Sequence, residues 1–207
     1  MCRQRRRSQA AFYGNDAVET VSYDPDGAKK LLEESGWTDT DGDGYVDKDG
    51  EKLSINWLTY PTRLEQPKLA EYAQATLKDI GIDVQVNNTS DHRTFAENGD
   101  FDVYVSSTTT APTGDPEYFF TSTVVGSKNY GKYQNEEVTK LTEKLHQTFD
   151  KDERGKIAVE LQQDILDDDA FFFVSHLNMG IVTKSNVTGM AAHPCDYYEI
   201  TADLDVE

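Results

Sequence analysis

The chain has 207 residues, of which 37% are hydrophobic and 11% aromatic, enough to build a buried core and too apolar for a disordered segment. Asp and Glu total 38 against 20 Lys and Arg, a net charge of -18, and a balance of that sign leaves no basic face for nucleic acid. No apolar run approaches the roughly 18 residues needed to cross a bilayer.

The start, "MCRQRRRSQAAFYG", has the positive charge of a signal-peptide n-region but no apolar stretch after it. It reads as a tag, a cloning remnant or a misassigned gene start, within a poorly patterned segment over residues 1–22. Cys2 and Cys195 lie near opposite ends, which excludes a disulfide framework and a multi-Cys zinc site.

The first patterned element is "YDPDGAKKLLEESGW", where Asp24 caps a predicted helix, Pro25 takes its first position and Gly36 stops it. An acidic turn follows, "DTDGDGYVD". Asp39, Asp41, Asp43, Gly44 and Asp47 match calcium-loop positions one, three, five, six and nine. Position twelve, which should be a bidentate Glu, is Gly50, and Glu51 comes one place late. Two readings stay open: a calcium site on Asp39, Asp41, Asp43 and Asp47, or an exposed hairpin whose carboxylates accept from their own backbone as Asx turns do. The predicted strand that follows is wrong for a helix-loop-helix hand and favours the hairpin.

That strand, "KLSINWLTYP", alternates Leu53, Ile55, Trp57 and Thr59 against polar neighbours and predicts one buried side. "QPKLAEYAQATLKDIG" is the strongest helix, with Leu69, Tyr72, Ala73, Thr76, Leu77 and Ile80 on one stripe and Gly81 as its stop. A strand at "IDVQV", a short helix at "DHRTFAENG" and a strand at "FDVYVSS" come next. The order strand, helix, strand, helix, strand predicts an α/β class with a mixed, partly parallel sheet and flanking helices. An irregular stretch, "TTTAPTGDPEYFF", leaves the last strand, and loops beyond the carboxyl ends of such strands are where ligands bind. "NEEVTKLTEKLHQTF" and "DERGKIAVELQQDIL" predict a helical pair capped by Asn135 and Asp150. "AFFFVSHLNMGIVTKSNVTGM" predicts a pair of strands around His-Leu-Asn, and residues 191–207 form a weakly patterned tail.

Seven of these segments occur in the order found in the solute-binding proteins of oligopeptide and nickel ABC transporters. "YDPDGAKKLLEESGWTDTDGDGYVDKDGEKLSINWL" resembles that family's Tyr-Asp-Pro, Leu-Leu helix, Gly-Trp and Asp-Gly-rich turn. "AEYAQATLKDIGIDVQV", "FAENGDFDVYVSS", "GDPEYFF" and the closing helices are similar to its later elements. The resemblance spans residues 23–190 and implies the carboxyl-terminal lobe of a two-lobed, type II-like periplasmic-binding-protein fold. Residues 191–207 would then cross back toward a missing first lobe, so the chain reads as a fragment or isolated domain.

The resemblance implies a monomer that captures a peptide, nickel or metal chelate outside the cytoplasm, as a periplasmic or surface lipoprotein, and presents it to ABC permease subunits. No covalent chemistry and no cofactor are required. It also implies ligand contacts from the loop Ser106–Tyr118. There Thr108, Thr109 and Thr110 offer hydroxyls, and Asp115 either pairs with a ligand amine or caps the next helix through Asp-Pro. Nickel-binding relatives place aromatic residues near positions 110 and 114, which are Thr110 and Gly114 here, a departure that counts against that type of nickel pocket. His176 ends the apolar run "AFFFVS" with Asn178 just beyond, and imidazole is a good ligand for nickel, zinc or cobalt. His92 and His146 read as surface residues and Tyr118 as core. The chain has no P-loop, dinucleotide glycine motif, zinc-protease helix or nucleophile elbow, so an enzyme is not expected. The alternative class is a calcium-binding structural or adhesion module built on the Asp39–Asp47 turn.

Overall fold

A computed structural model describes residues 17–108, 111, 115–174, 181–191 and 200–206. The chain divides into two compact units, one of Val21–Ser107 and one of Met1–Thr20 with Thr108–Glu207.

In the first unit, α1 runs Pro25–Glu34, with the Asp24 side chain accepting from the Gly27 amide as the expected cap. The acidic turn leads into a hairpin of β1, Asp47–Lys48, and β2, Glu51–Lys52. The sheet is formed by β3, Ser54–Thr59, with β4, Asp83–Asn88, on one side and β5, Val103–Tyr104, on the other, all parallel. Helix α2, Glu65–Lys78, makes the crossover from β3 to β4, and α3, His92–Asn98, the crossover from β4 to β5. Every residue of β3 pairs with β4, from Ser54 opposite Asp83 to Thr59 opposite Asn88.

The burial of β3 departs from simple alternation. Leu58 and Thr59 are both fully buried, because the central strand of a parallel sheet is covered on both faces. The α2 stripe also shifts. Gln66 and Ala70 form its buried seam and Tyr72 is 69% exposed, since the small Ala70 is what lies against the sheet. α2 stops at Gly81, whose φ of +81° is the left-handed conformation that glycine adopts without strain. A Cβ there would lie 2.8 Å from Val46 Cγ1, and the Val46 amide donates to the Gly81 carbonyl at 2.7 Å. The acidic turn is thereby fastened to the end of α2.

The second unit is helical in its core. A short helix α4, Glu117–Phe119, runs into a π-helical turn, Phe120–Val124, followed by α5, Glu136–Gln147, and α6, Lys151–Asp167. Asn135 and Asp150 cap α5 and α6 as expected, each side chain accepting two backbone amides. Val138, Leu141 and Leu145 of α5 meet Ile157, Leu161 and Ile165 of α6 in one buried cluster with Phe119, Phe120 and Val124. Phe171 and Phe173 close over it, each with a ring centroid 5.8 Å from that of Phe119. Tyr118 is 45% exposed and not core; the next two residues, Phe119 at the end of α4 and Phe120 at the start of the π-helical turn, are buried instead.

The expected strand pair around His-Leu-Asn is not found among the described residues. Its centre, residues 175–180, lies outside them, and residues 171–174 and 181–184 carry no strand pairing. The pairing lies further on, where β6, Val187–Thr188, at the end of that stretch, runs antiparallel to β7, Asp205–Val206, which falls in the segment read as a tail. The stretch read as a tag lies outside the described residues through position 16.

Candidate functional site at the carboxyl edge of the parallel sheet

The strand order β4-β3-β5 places consecutive crossovers on opposite sides of β3. The carboxyl ends of β3 and β5 therefore form the switch point at which open α/β sheets bind ligands. Tyr60, one residue past β3, is 8% exposed. Its hydroxyl accepts the Ser107 amide at 3.1 Å, and Gln66 Nε2 donates to Ser107 Oγ at 3.1 Å. Ser107, three residues past β5, is held from both its backbone and its side chain.

His92, at the start of α3, stacks on Tyr60 with ring centroids 4.1 Å apart, and its Nδ1 lies 2.7 Å from the Tyr104 hydroxyl. It is therefore half-buried, not the surface residue expected from its place in a polar helix. Burial pushes its pKa below the usual histidine value, with the Arg93 charge adding to the shift. Thr59 Oγ1, Glu65 Oε1 and Gln66 Oε1 are buried here without a hydrogen-bond partner among the described residues.

The predicted ligand loop departs from this edge. Thr108 is exposed, whereas Thr109 and Thr110 lie outside the described residues, as do His176, Asn178 and Cys195. Asp115 acts as the cap that the Asp-Pro pair suggests, its Oδ1 accepting the Glu117 amide at 2.9 Å. It also receives the Arg154 guanidinium, whose Nη2 lies 2.8 and 2.7 Å from the two Asp115 oxygens and 2.9 Å from Glu117 Oε2. Nη1 of the same residue donates to the carbonyls of Leu145 and Thr148 at the end of α5, both at 2.7 Å. Burial tends to raise the Glu117 pKa, but the hydrogen bonds from His146 and Arg154 outweigh it and the net shift is downward. Asp115, Glu117, His146, Phe149, Lys151 and Arg154 line an open depression of about 600 Å³, and His146 is the surface residue expected.

The acidic turn uses its carboxylates internally. Asp39 accepts the amides of Gly42 and Gly44, Asp41 that of Asp43, and Asp43 that of Tyr45 as well as the Lys52 ammonium. Asp47 turns to Thr40, taking both its amide and its hydroxyl. Oxygens of Asp39, Asp41 and Asp43 lie within 4.8 Å of one another, and Asp47 is not among them. Three of the four carboxylates of the calcium reading thus share one place, Asp47 is turned to Thr40, and the turn caps its own backbone as the second reading expects.

Residues 7–131 match the model of the bacterial extracellular solute-binding proteins, family 5 Middle. The chain belongs to that family. The match begins inside the basic amino-terminal stretch. Among curated family 5 relatives, the oligopeptide-binding protein AppA of Bacillus subtilis is 30% identical over 189 residues, which is 88% of this chain and 35% of AppA. The nickel-binding periplasmic protein of Escherichia coli is 26% identical over 191 residues, 88% of this chain and 36% of that protein. The structure of Bacillus subtilis AppA in complex with a nonapeptide superposes with a TM-score of 0.77 at 27% identity, covering 91% of this chain and 39% of that one. The chain thus spans about a third of the length of the curated relatives it matches, and its mixed α/β fold with a parallel sheet is that of the periplasmic-binding proteins.

Sequence reasoning had no means of finding Tyr60, Gln66 and His92 as neighbours of Ser107. Tyr60 and Ser107 are 47 positions apart, and only the parallel pairing of β3 with β5 brings them together.

Proposed function

We propose that this chain contributes to substrate capture for an ABC importer, with a peptide as the favoured ligand and a nickel or metal chelate as the second reading. The observation that carries the proposal is the polar carboxyl edge of β3 and β5 in a family 5 chain, where Ser107 is fixed at the mouth of the threonine-rich stretch. The Thr108–Thr110 hydroxyls supply hydrogen bonds to peptide groups, and His176 and Asn178 add contacts from the later segment. Asp115 is a weaker candidate, because its carboxylate is already committed to Arg154 and to the α4 cap.

The mechanism is capture without covalent chemistry. A ligand stabilises the closed arrangement of two lobes by the contacts it gains there, and the closed form docks on permease subunits outside the cytoplasm. No helix among the described residues is long and apolar enough to cross a membrane. No cofactor is needed for this cycle, and calcium is not part of it. The chain acts as a monomer toward its permease.

Titration calorimetry of the chain with a nonapeptide and, separately, with nickel plus L-histidine tests the reading. Peptide binding that is lost in a Thr108→Ala, Thr109→Ala, Thr110→Ala triple variant supports it. Binding of nickel-histidine alone moves the assignment to the second reading. Peptide binding unchanged in the triple variant overturns the loop assignment.

A further inference from the structure

Two polar contacts converge on Ser107, and a ring stack backs the tyrosine that makes one of them; the ligand-contact reading does not account for them. A strand end needs no side-chain help to leave a sheet, and Val105 already completes the ladder by donating to Leu58 O at 3.1 Å. Two residues later the chain is caught again. The Tyr60 hydroxyl accepts the Ser107 amide, and Gln66 Nε2 donates to the Ser107 hydroxyl oxygen. These are different groups on one residue, reached from the end of β3 and from the first turn of α2, so they restrict rotation as well as position. Gln66 is 3% exposed, which keeps its amide from exchanging Ser107 for bulk water. His92 sits against the Tyr60 ring, so the tyrosine itself cannot swing outward.

We propose that Tyr60, Gln66 and His92 form an anchor that sets the direction in which the chain leaves β5, making them positioning residues for ligand capture and not ligand contacts. The inference rests on the capture reading for its purpose, but the anchor itself is independent of any ligand. It lowers the cost of binding by presenting the start of the loop already ordered.

Amide hydrogen exchange by NMR on the whole chain tests it. In Tyr60→Phe the ring and its His92 stack remain while the acceptor of the Ser107 amide is lost. Exchange at Ser107 should rise about fivefold, the effect of one ordinary hydrogen bond, while the Val84 and Ala70 amides keep their rates. Gln66→Leu removes the second contact by an independent route and should raise the Ser107 rate as well. An unchanged Ser107 rate in both variants, or an equal rise throughout the sheet, overturns the anchor. Calorimetry with a nonapeptide, at a temperature where both proteins are fully folded, provides the functional arm, where Tyr60→Phe should bind about fivefold more weakly. Equal affinity in the two proteins refutes the positioning role. If the unaltered chain binds no nonapeptide, the capture reading fails for peptides, and the exchange rates still decide the anchor.

Discussion

Replacing Arg154 by methionine gives the sharpest test of how the second unit is held together. The side chain is only 11% exposed, and it neutralises two carboxylates, Asp115 and Glu117, that are 28% and 25% exposed. Methionine keeps much of the stem but takes the guanidinium away from both carboxylates, Glu117 retaining His146, and from the carbonyls of Leu145 and Thr148. Removing one partner of a buried pair costs about 3–5 kcal/mol. Water reaches roughly a quarter of each acid here, which reduces the expected loss to about 2–4 kcal/mol. For a unit of this size that lowers the melting temperature by about 10–20 °C. The assay is thermal unfolding followed by circular dichroism at neutral pH and again at acid pH, as Glu117, whose folded pKa is lowered, takes up its proton. The gap between wild type and Arg154→Met should narrow at low pH as the Glu117 pairing with Arg154 is lost from the wild type. A neutral-pH loss below about 0.5 kcal/mol, or a gap that widens in acid, would refute the clamp.

Three further outcomes follow from other contacts. Gly81→Ala should destabilise the first unit by about 1–3 kcal/mol in urea unfolding, because it combines a left-handed backbone with a close approach to Val46; a neutral effect would show that the acidic turn can lift off α2. Adding 5 mM calcium should shift the melting temperature by less than about 1 °C, since the Asp39–Asp47 carboxylates already hold backbone amides and Lys52; a shift of several degrees would restore the calcium reading. Stability should decline as pH falls below 6.5, because His92 takes up its proton later in the folded state than in the unfolded one. It should decline again below 4.5 as Glu117, whose folded pKa is also lowered, is protonated and loses its pairing. His92→Phe should flatten the upper step in a series of urea midpoints against pH and leave the lower one; persistence of the upper step would place its origin elsewhere.

The elements carried by strong periodicity or caps were legible in the sequence. Asp24, Asn135 and Asp150 cap the helices they were expected to cap, and the α5 and α6 stripes are the core of their unit. Those signals are local, set by residues three or four positions apart. The misread residues are ones whose environment comes from elsewhere in the chain. Leu58 lay in the nominally outward register of its strand and is fully buried, because coverage of the second face is decided by helices and not by the strand. Tyr72 followed the α2 stripe on paper but faces solvent, as the helix seats on Ala70. His92 looked like an ordinary polar position in a short helix, and only the fold supplies Tyr60 and Tyr104 as its neighbours. At the site, the Asp-Pro cap was readable at Asp115, whereas its pairing with Arg154, 39 positions away, was not.

The double grip on Ser107 has a consequence for how such a protein diversifies. The groups that fix this residue, on Tyr60 and Gln66, both precede it in the chain. Under the capture proposal, substitutions beyond Ser107 would change ligand contacts while the path by which the chain leaves the sheet stayed the same. Choice of cargo and integrity of the scaffold would then rest on separate side chains.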